Sequence, residues 1–431
     1  MSQKLSRRRF VAQAAAASAF LAAPAVVRGQ TAPVDLTVAY SFPVLFKDLM
    51  ETIGRDFTAK HPNIRVTFRA PEEDYEKLMQ RNLRDSITNS LPDVAFHGLN
   101  RQRTLLERGI PVNLKPFMEG DAQVKELGYS PSLLSLGQVG AQQTGIGFAM
   151  STPILYFNGN MVKEAGGNAD KLPSTWDEVV KLGAAMQDPV KNRTGMFFDW
   201  TITGNWSWQG LVLSHGGSLL NADESKVAFG DAPGQRSVAL LRRFVDEGKM
   251  PDIRPETMFQ DFFAGRMGMC MQSTAQLGRF NREVGGRFPV LCARYPLSAT
   301  NARLPAGGNA AMMFAKDPIK QKAAWEFIKF ATGPVGGTLM VKATGYMPGT
   351  TIPAQRKDML ADFYAANPNH MISIRQQDVI TGWYAFPGQN ALKITDVIND
   401  HLQSVVARKD QPQAVLSKMV GDVQALIAAK A

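Results

Sequence analysis

Apolar and polar residues alternate through VDLTVAYSFP at 34–43, the period-two pattern of a half-buried strand. The step then changes to three and four at Phe46, Leu49, Met50, Ile53 and Phe57, which predicts an amphipathic helix. Pro62 breaks that helix, and Ile64, Val66 and Phe68 alternate as a second strand. Tyr75, Leu78, Met79 and Leu83 repeat the helical spacing, and LPDVAFHG follows as a short apolar strand. This β-α-β-α-β order predicts parallel pairing with helices on the sheet faces.

The stretch TGIGFAMSTPILYFN at 144–158 differs in kind, with two glycines, a polar corner at Ser151-Thr152-Pro153 and a further strand. Beyond it, Thr175 with Glu178 three residues on forms a capping box that opens a helix. RSVALLRRFVDEGKM, FFAGRMGMCMQS and RFPVLCARYP continue an α/β alternation. From Pro318 onward IKQKAAWEFIKFAT, QRKDMLADFYAAN and ALKITDVINDHLQSVVAR are all helical in pattern, so the last third is expected to be mostly helix.

The amino end fixes a compartment. Lys4, Arg7, Arg8 and Arg9 precede an apolar run from Phe10 to Val27 and small residues at Ala23-Pro24-Ala25, the layout of a signal peptide over residues 1–29 with cleavage between Ala25 and Ala32. Gln13, Ser18 and Pro24 interrupt the run, and alanine adds little transfer energy, so a membrane anchor fits less well. Ser6-Arg7-Arg8 followed by Phe10 and Val11 resembles the twin-arginine export signal. The mature chain is therefore expected in the periplasm. Five of the 48 lysines and arginines lie in residues 1–29, leaving 43 cations against 38 anions in the remainder, too mild a balance for nucleic-acid binding. The length left exceeds what one hydrophobic core usually serves, so two domains are expected. Cys270 and Cys292 sit in apolar stretches, and free buried thiols are the preferred reading over a disulfide.

Enzyme motifs are weak. GIGFAM starts like a dinucleotide loop, but Met150 stands where the third glycine is needed. His61, His97, His215, His370 and His401 show no ligand spacing, and no Gly-x-Ser-x-Gly elbow occurs. No catalytic residue, metal or cofactor is expected.

Three stretches change the picture when taken in order: FTAKHPNIRVTF with YEKLMQRNLRDSITNSLPDVAF, then FAMSTPILYFNGNMVKEAGGNADKLPSTWDEVVKLGAAM, then WEFIKFATGPVGGTLMVKATGYMPG. Together they resemble the family-1 extracellular solute-binding proteins of ABC importers, in particular the carbohydrate-uptake branch that includes sn-glycerol-3-phosphate-binding proteins. The resemblance implies an α/β fold of the two-lobed periplasmic-binding-protein type (type II), with a hinge and a helical C-terminal segment. Lobe one would comprise 33–147 plus 307–347, and lobe two 148–306 plus 348–431. It further implies a non-enzymatic monomer that binds a sugar, polyol or glycerol-3-phosphate-like solute and passes it to permease subunits in the inner membrane. The alternatives are a twin-arginine-exported enzyme and a solute sensor for a membrane receptor.

A sugar or polyol needs aromatic plates and convergent hydrogen-bonding groups. DWTITGNWSWQG, read as a loop, holds Trp200, Trp206 and Trp208, and Trp206 or Trp208 is expected to be the stacking plate. By position, the resemblance places ligand groups at Tyr75, Ser151, Ser273 or Thr274, Gly307-Gly308 and Tyr346, with Tyr40, Asn309 and Asn390 as additions. One departure bears on charge: where glycerol-phosphate relatives carry a phosphate-clamping arginine, this chain reads WYAFPGQNALKI, with Lys393 its one cation. An uncharged solute fits that segment unless Lys393, Arg279 or Arg375 substitutes.

Overall fold

The computed structural model describes residues 33–428. The expected signal peptide over 1–29, its cleavage region and the twin-arginine pattern lie outside the described residues, as do residues 429–431.

Hydrophobic alternation yields the expected parallel unit. Leu36 and Val38 of strand Val34–Ala39 are buried, and the strand pairs in parallel with Ile64–Phe68 on one side and Val94–Gly98 on the other. Helix Pro43–Lys60 links the first pair and buries Phe46, Leu49, Met50, Ile53 and Phe57, the residues its spacing picks out. Helix Tyr75–Ile87 links the second, opened by Asp74, whose carboxylate accepts from the Lys77 amide at 2.8 Å. Two later strands complete a five-stranded sheet in the order Ile64–Phe68, Val34–Ala39, Val94–Gly98, Gly307–Met313, Ile146–Ser151. Gly307–Met313 runs antiparallel to both its neighbours. Trp325, Phe327 and Ile328 of helix Pro318–Thr332 and Met340 of Pro334–Ala343 complete this core.

A second, four-stranded sheet runs Val290–Arg294, Pro153–Asn158, Met267–Ser273, Thr194–Phe198. Its core takes Trp176 and Val180 from the helix that Thr175 and Glu178 open with the predicted capping box. The terminal helices Ala391–Val406 and Pro412–Ala428 bury Ile394, Ile398, Leu402, Leu416 and Met419 in the same core.

The chain passes between the sheets at the predicted polar corner: Ser151 ends one strand and Pro153 begins the next. The return strand starts at Gly307, paired directly with Ser151. A third passage, near residue 376, is tied to the first, because Gln376 Nε2 donates to Thr152 Oγ1 at 2.7 Å and to the Pro153 carbonyl at 3.1 Å. Gln376 Oε1 also accepts from the Tyr295 amide at 2.9 Å on the returning segment, so one side chain joins all three passages.

The lobe boundary after residue 347 differs from the expectation. Leu360 and Tyr364 lie in the core of the first sheet, and Ile372 is in that of the second. The cause is a bridge between Met150 and Met347, which holds the chain along the edge of the first sheet before it leaves. QRKDMLADFYAAN is helical only over Ala361–Ala366, after a separate short helix Ile352–Gln355 that ends at its first residue. The supposed tryptophan loop is likewise mostly helix, Trp206–Ser214, entered through Asn205 at φ 54°. Cys270 and Cys292 are free, on the two strands that flank Pro153–Asn158, and each pairs across to Tyr156.

Candidate functional site

A cavity of about 340 Å³ opens where the passages meet, walled by both sheets. Tyr75, Ser151, Trp206, Ser273, Gly307, Gly308 and Tyr346, all expected site residues, line it. Tyr75 begins its helix immediately after the Asp74 cap; its hydroxyl accepts from Asn309 Nδ2 at 3.1 Å, and burial pushes it up to about 12. Asn309 thus stands behind Tyr75 and off the cavity wall. Tyr346 stacks on Phe46 with ring centroids 5.7 Å apart. Ser151 is 1% exposed, and among the described residues its hydroxyl has no hydrogen-bond partner.

Trp206 is anchored by its indole N–H, which donates to the Pro305 carbonyl at 3.1 Å. Its helix is pinned from outside, since Asn205 Nδ2 donates to the Thr395 carbonyl at 3.0 Å and to Asn399 Oδ1 at 2.9 Å. Gly307 leaves the room this ring needs: a Cβ there would lie 2.9 Å from Trp206 Cζ2 and 2.6 Å from Ser151 Oγ. Gly308 serves the sheet instead, at φ 107°, where a Cβ would fall 1.8 Å from the Ala149 carbonyl oxygen. The pair therefore sits in a strand, and neither is a turn glycine.

Besides Asn309, four expected residues stand elsewhere. Tyr40 continues the alternation of its strand into the first core, edge-on to Phe68 at 5.8 Å. Trp208 packs edge-on against Phe229 in the second core, because two residues along a helix turn about 200° from Trp206. Thr274 points away from its neighbour Ser273, and its Oγ1 accepts from Ser373 Oγ at 2.7 Å and from the Thr152 amide at 3.2 Å, among the passages between sheets. Asn390 donates to the Leu426 carbonyl at 2.9 Å, fastening the terminal helices to each other. Trp200 is also core.

The reading missed several walls. Phe42 stands edge-on to Tyr75 at 4.8 Å, and Trp383, the first residue of WYAFPGQNALKI, does so at 6.2 Å. Phe42 has φ 56°, a conformation bulky residues rarely adopt and one that clusters at binding sites. Asp199, Thr201, Glu256, Phe259, Gln272 and Gln276 also line the cavity. Asp199 is the first residue of the tryptophan segment DWTITGNWSWQG, whose rings drew the assignment instead.

Asp199 is 3% exposed. Its Oδ1 accepts from the Thr201 amide at 3.2 Å and from Thr201 Oγ1 at 2.7 Å, and its Oδ2 accepts from Gln272 Nε2 at 2.5 Å. Burial nevertheless pushes its carboxyl up to about 6, and Glu256 adds to the rise. Buried Cys270 is the other titratable group facing it. Between its ordinary value near 3.8 and about 6, the folded protein holds a proton that the unfolded chain has released, so stability falls as pH rises through this window. The expected loss is on the order of 3 kcal/mol. Melting temperatures of wild type and Asp199→Asn measured from pH 4 to 7 should diverge, with wild type losing ground as pH rises; a constant difference would refute this account.

The cavity wall carries Glu73, Asp74, Asp199 and Glu256 and, among the described residues, no lysine, arginine or histidine. Lys393 and Arg375 are exposed elsewhere, and Arg279 lies over the Phe259 ring at 4.3 Å, outside the wall. No group of three or more potential metal ligands occurs among the described residues. Rings and hydrogen-bonding groups lining one cleft suit binding of a small polar molecule.

Residues 52–371 match the family described as bacterial extracellular solute-binding protein. The sn-glycerol-3-phosphate-binding periplasmic protein UgpB of Pectobacterium atrosepticum is 24% identical over 291 residues, 65% of this chain and 65% of its own length. Its counterpart in Escherichia coli K12 is 21% identical over 393 residues, 86% of this chain and 87% of its own. Among solved structures, UgpB from Mycobacterium tuberculosis in complex with glycerophosphocholine superposes with a TM-score of 0.81 at 19% identity, covering 93% of this chain and 99% of its own. A solute binding protein from Agrobacterium radiobacter K84 in complex with ribitol gives 0.75 at 19% identity, covering 92% and 99%.

Proposed function

The chain belongs to the bacterial extracellular solute-binding proteins, and from that premise we propose that it is the periplasmic receptor of an ABC importer for a polyhydroxylated solute, a sugar or polyol. It acts by binding alone, delivering the solute to its permease as a monomer. The observation that carries the reading is the wall itself: Trp206, Trp383, Tyr75 and Phe42 offer ring faces and edges to C–H surfaces, while Ser151, Ser273, Thr201 and Gln276 offer groups to hydroxyls. A phosphate clamp is disfavoured because, among the described residues, no lysine, arginine or histidine lines the cavity. No helix among the described residues is long and apolar enough to cross a membrane.

A thermal-shift panel of sugars, polyols and their phosphates tests this. A solute at about 100 times its dissociation constant adds roughly 2.7 kcal/mol to stability. The expected winners are unphosphorylated. Ser151→Ala should weaken the winner about tenfold, roughly 1.4 kcal/mol, and leave the melting temperature of the free protein unchanged, since the hydroxyl serves no protein partner. A silent panel, together with a metal or absorbing cofactor in the purified protein, would favour the exported enzyme instead.

A further inference from the structure

The charge of the cavity wall goes beyond a preference for hydroxyls. Glu73 is exposed and ion-paired with Lys77, and Asp74 caps its own helix. Asp199 and Glu256 remain, on the wall supplied by the second sheet, and neither has an ion-pair partner among the described residues. Arg279 is the nearby cation, but it stacks behind Phe259 and forms no ion pair with Glu256. Phe259 follows Glu256 by three residues on helix Pro255–Phe263, so ring and carboxylate share a face of that helix and both reach the cavity.

Helix starts at Tyr75, Trp206 and Pro255 also reach the cavity, and such ends attract anions. Each carries roughly half a positive charge, whereas a carboxylate carries a full negative one. With Glu73 set aside, three carboxylates outweigh three half-charges, and the wall is net negative. Separate from the acids, two polar groups point to a missing occupant: the unpartnered hydroxyl of the almost fully buried Ser151, and Gln276 Oε1, buried without a partner. An ammonium group on a hydroxylated frame answers both the charge and these atoms, because its N–H or polarised C–H groups donate while the frame's hydroxyls reach Ser151.

Resting on the receptor reading above, we propose that the solute carries a positively charged ammonium group, seated against Asp199, Glu256 and the Phe259 ring, on a polyhydroxylated frame.

The test is calorimetric titration of the protein at pH 7.5 with matched pairs: D-glucosamine against D-glucose, and D-glucamine against D-sorbitol. In at least one pair the ammonium-bearing member should bind at least tenfold more tightly than its counterpart. Glu256→Gln, an exposed change that spares the fold, should cut that advantage several-fold, and Asp199→Asn should do so independently, the readout in each case being the ratio of affinities within a pair. The inference is overturned if no ammonium-bearing member outbinds its counterpart, if every member is silent, or if both variants keep the preference intact. A sugar or polyol that binds without regard to the amine, with affinity indifferent to Glu256→Gln, would remove the ammonium inference and leave the receptor reading standing.

Discussion

Gly308→Ala is expected to lower the unfolding free energy by about 3 kcal/mol or more, a large share of the ~5–15 kcal/mol that usually holds a domain together. At φ 107° an L-residue is strongly disfavoured, and the added carbon would fall 1.8 Å from the Ala149 carbonyl oxygen and 3.2 Å from Met150 Cα. These are backbone atoms of the neighbouring strand, so no side-chain rotation relieves the contact. The sheet must spread, and its register already shifts between Asn309 and Ala310. At Gly307 the added carbon meets side chains, Ser151 and Trp206, which can yield. Gly307→Ala should therefore cost less stability and damage solute binding more. Urea unfolding of both variants with a matched binding titration separates the two effects; a Gly308→Ala loss below 1 kcal/mol would show that the strand tolerates what its geometry forbids.

The second large effect divides the tryptophans. Trp208→Ala should remove about 3–5 kcal/mol of stability, because a ring packed in the core on Phe229 leaves a cavity when truncated. The protein that stays folded should bind solute with unchanged affinity. Trp206→Phe should shift the balance, weakening the solute by severalfold while costing its bond to Pro305 and part of the packing of an equally buried ring, a smaller loss than Trp208→Ala because an aromatic ring remains. Chemical denaturation and titration of the two variants give four numbers, and equal losses of affinity would erase the distinction drawn between the two rings.

That distinction also marks how far the sequence could be read. Alternation and three-four spacing reach one partner at a time, and they identify the parallel unit, the Thr175 cap and the buried face of helix Pro43–Lys60 down to individual residues. The polar corner at Ser151 and the glycine pair are also legible, because a hydroxyl and a missing side chain in apolar strands need a reason. Direction inside an element was lost wherever its type was misjudged. Reading 199–210 as a loop concealed that Trp206 and Trp208 look opposite ways from one helix. Ser273 and Thr274 are split by the same rule at a strand end, and Tyr40 faces the core while Phe42, two residues on, has left the strand and reaches the cavity. Asn390 was named and Trp383 passed over because the packing of Ala391–Val406 and Pro412–Ala428 onto a distant core has no local signature. Asp199 directly follows strand Thr194–Phe198 and Glu256 lies on helix Pro255–Phe263, and their shared place on the cavity wall is a tertiary fact that no spacing along the chain encodes.

The placement of the two thiols bears on how the protein ages. Cys270 and Cys292 face the same residue, Tyr156, from opposite sides, so one whole strand stands between them. Two strand spacings of about 4.8 Å put their backbones well beyond the ~7 Å within which a disulfide closes. An internal crosslink would require Pro153–Asn158 to leave the sheet, which means that it would staple a misfolded chain and never the native one. Half-buried Cys292 is the more accessible of the two thiols, but burial pushes it up as it does Cys270, so neither presents the thiolate that oxidants attack. Any preparation in which the two are found joined has, at some time, unfolded.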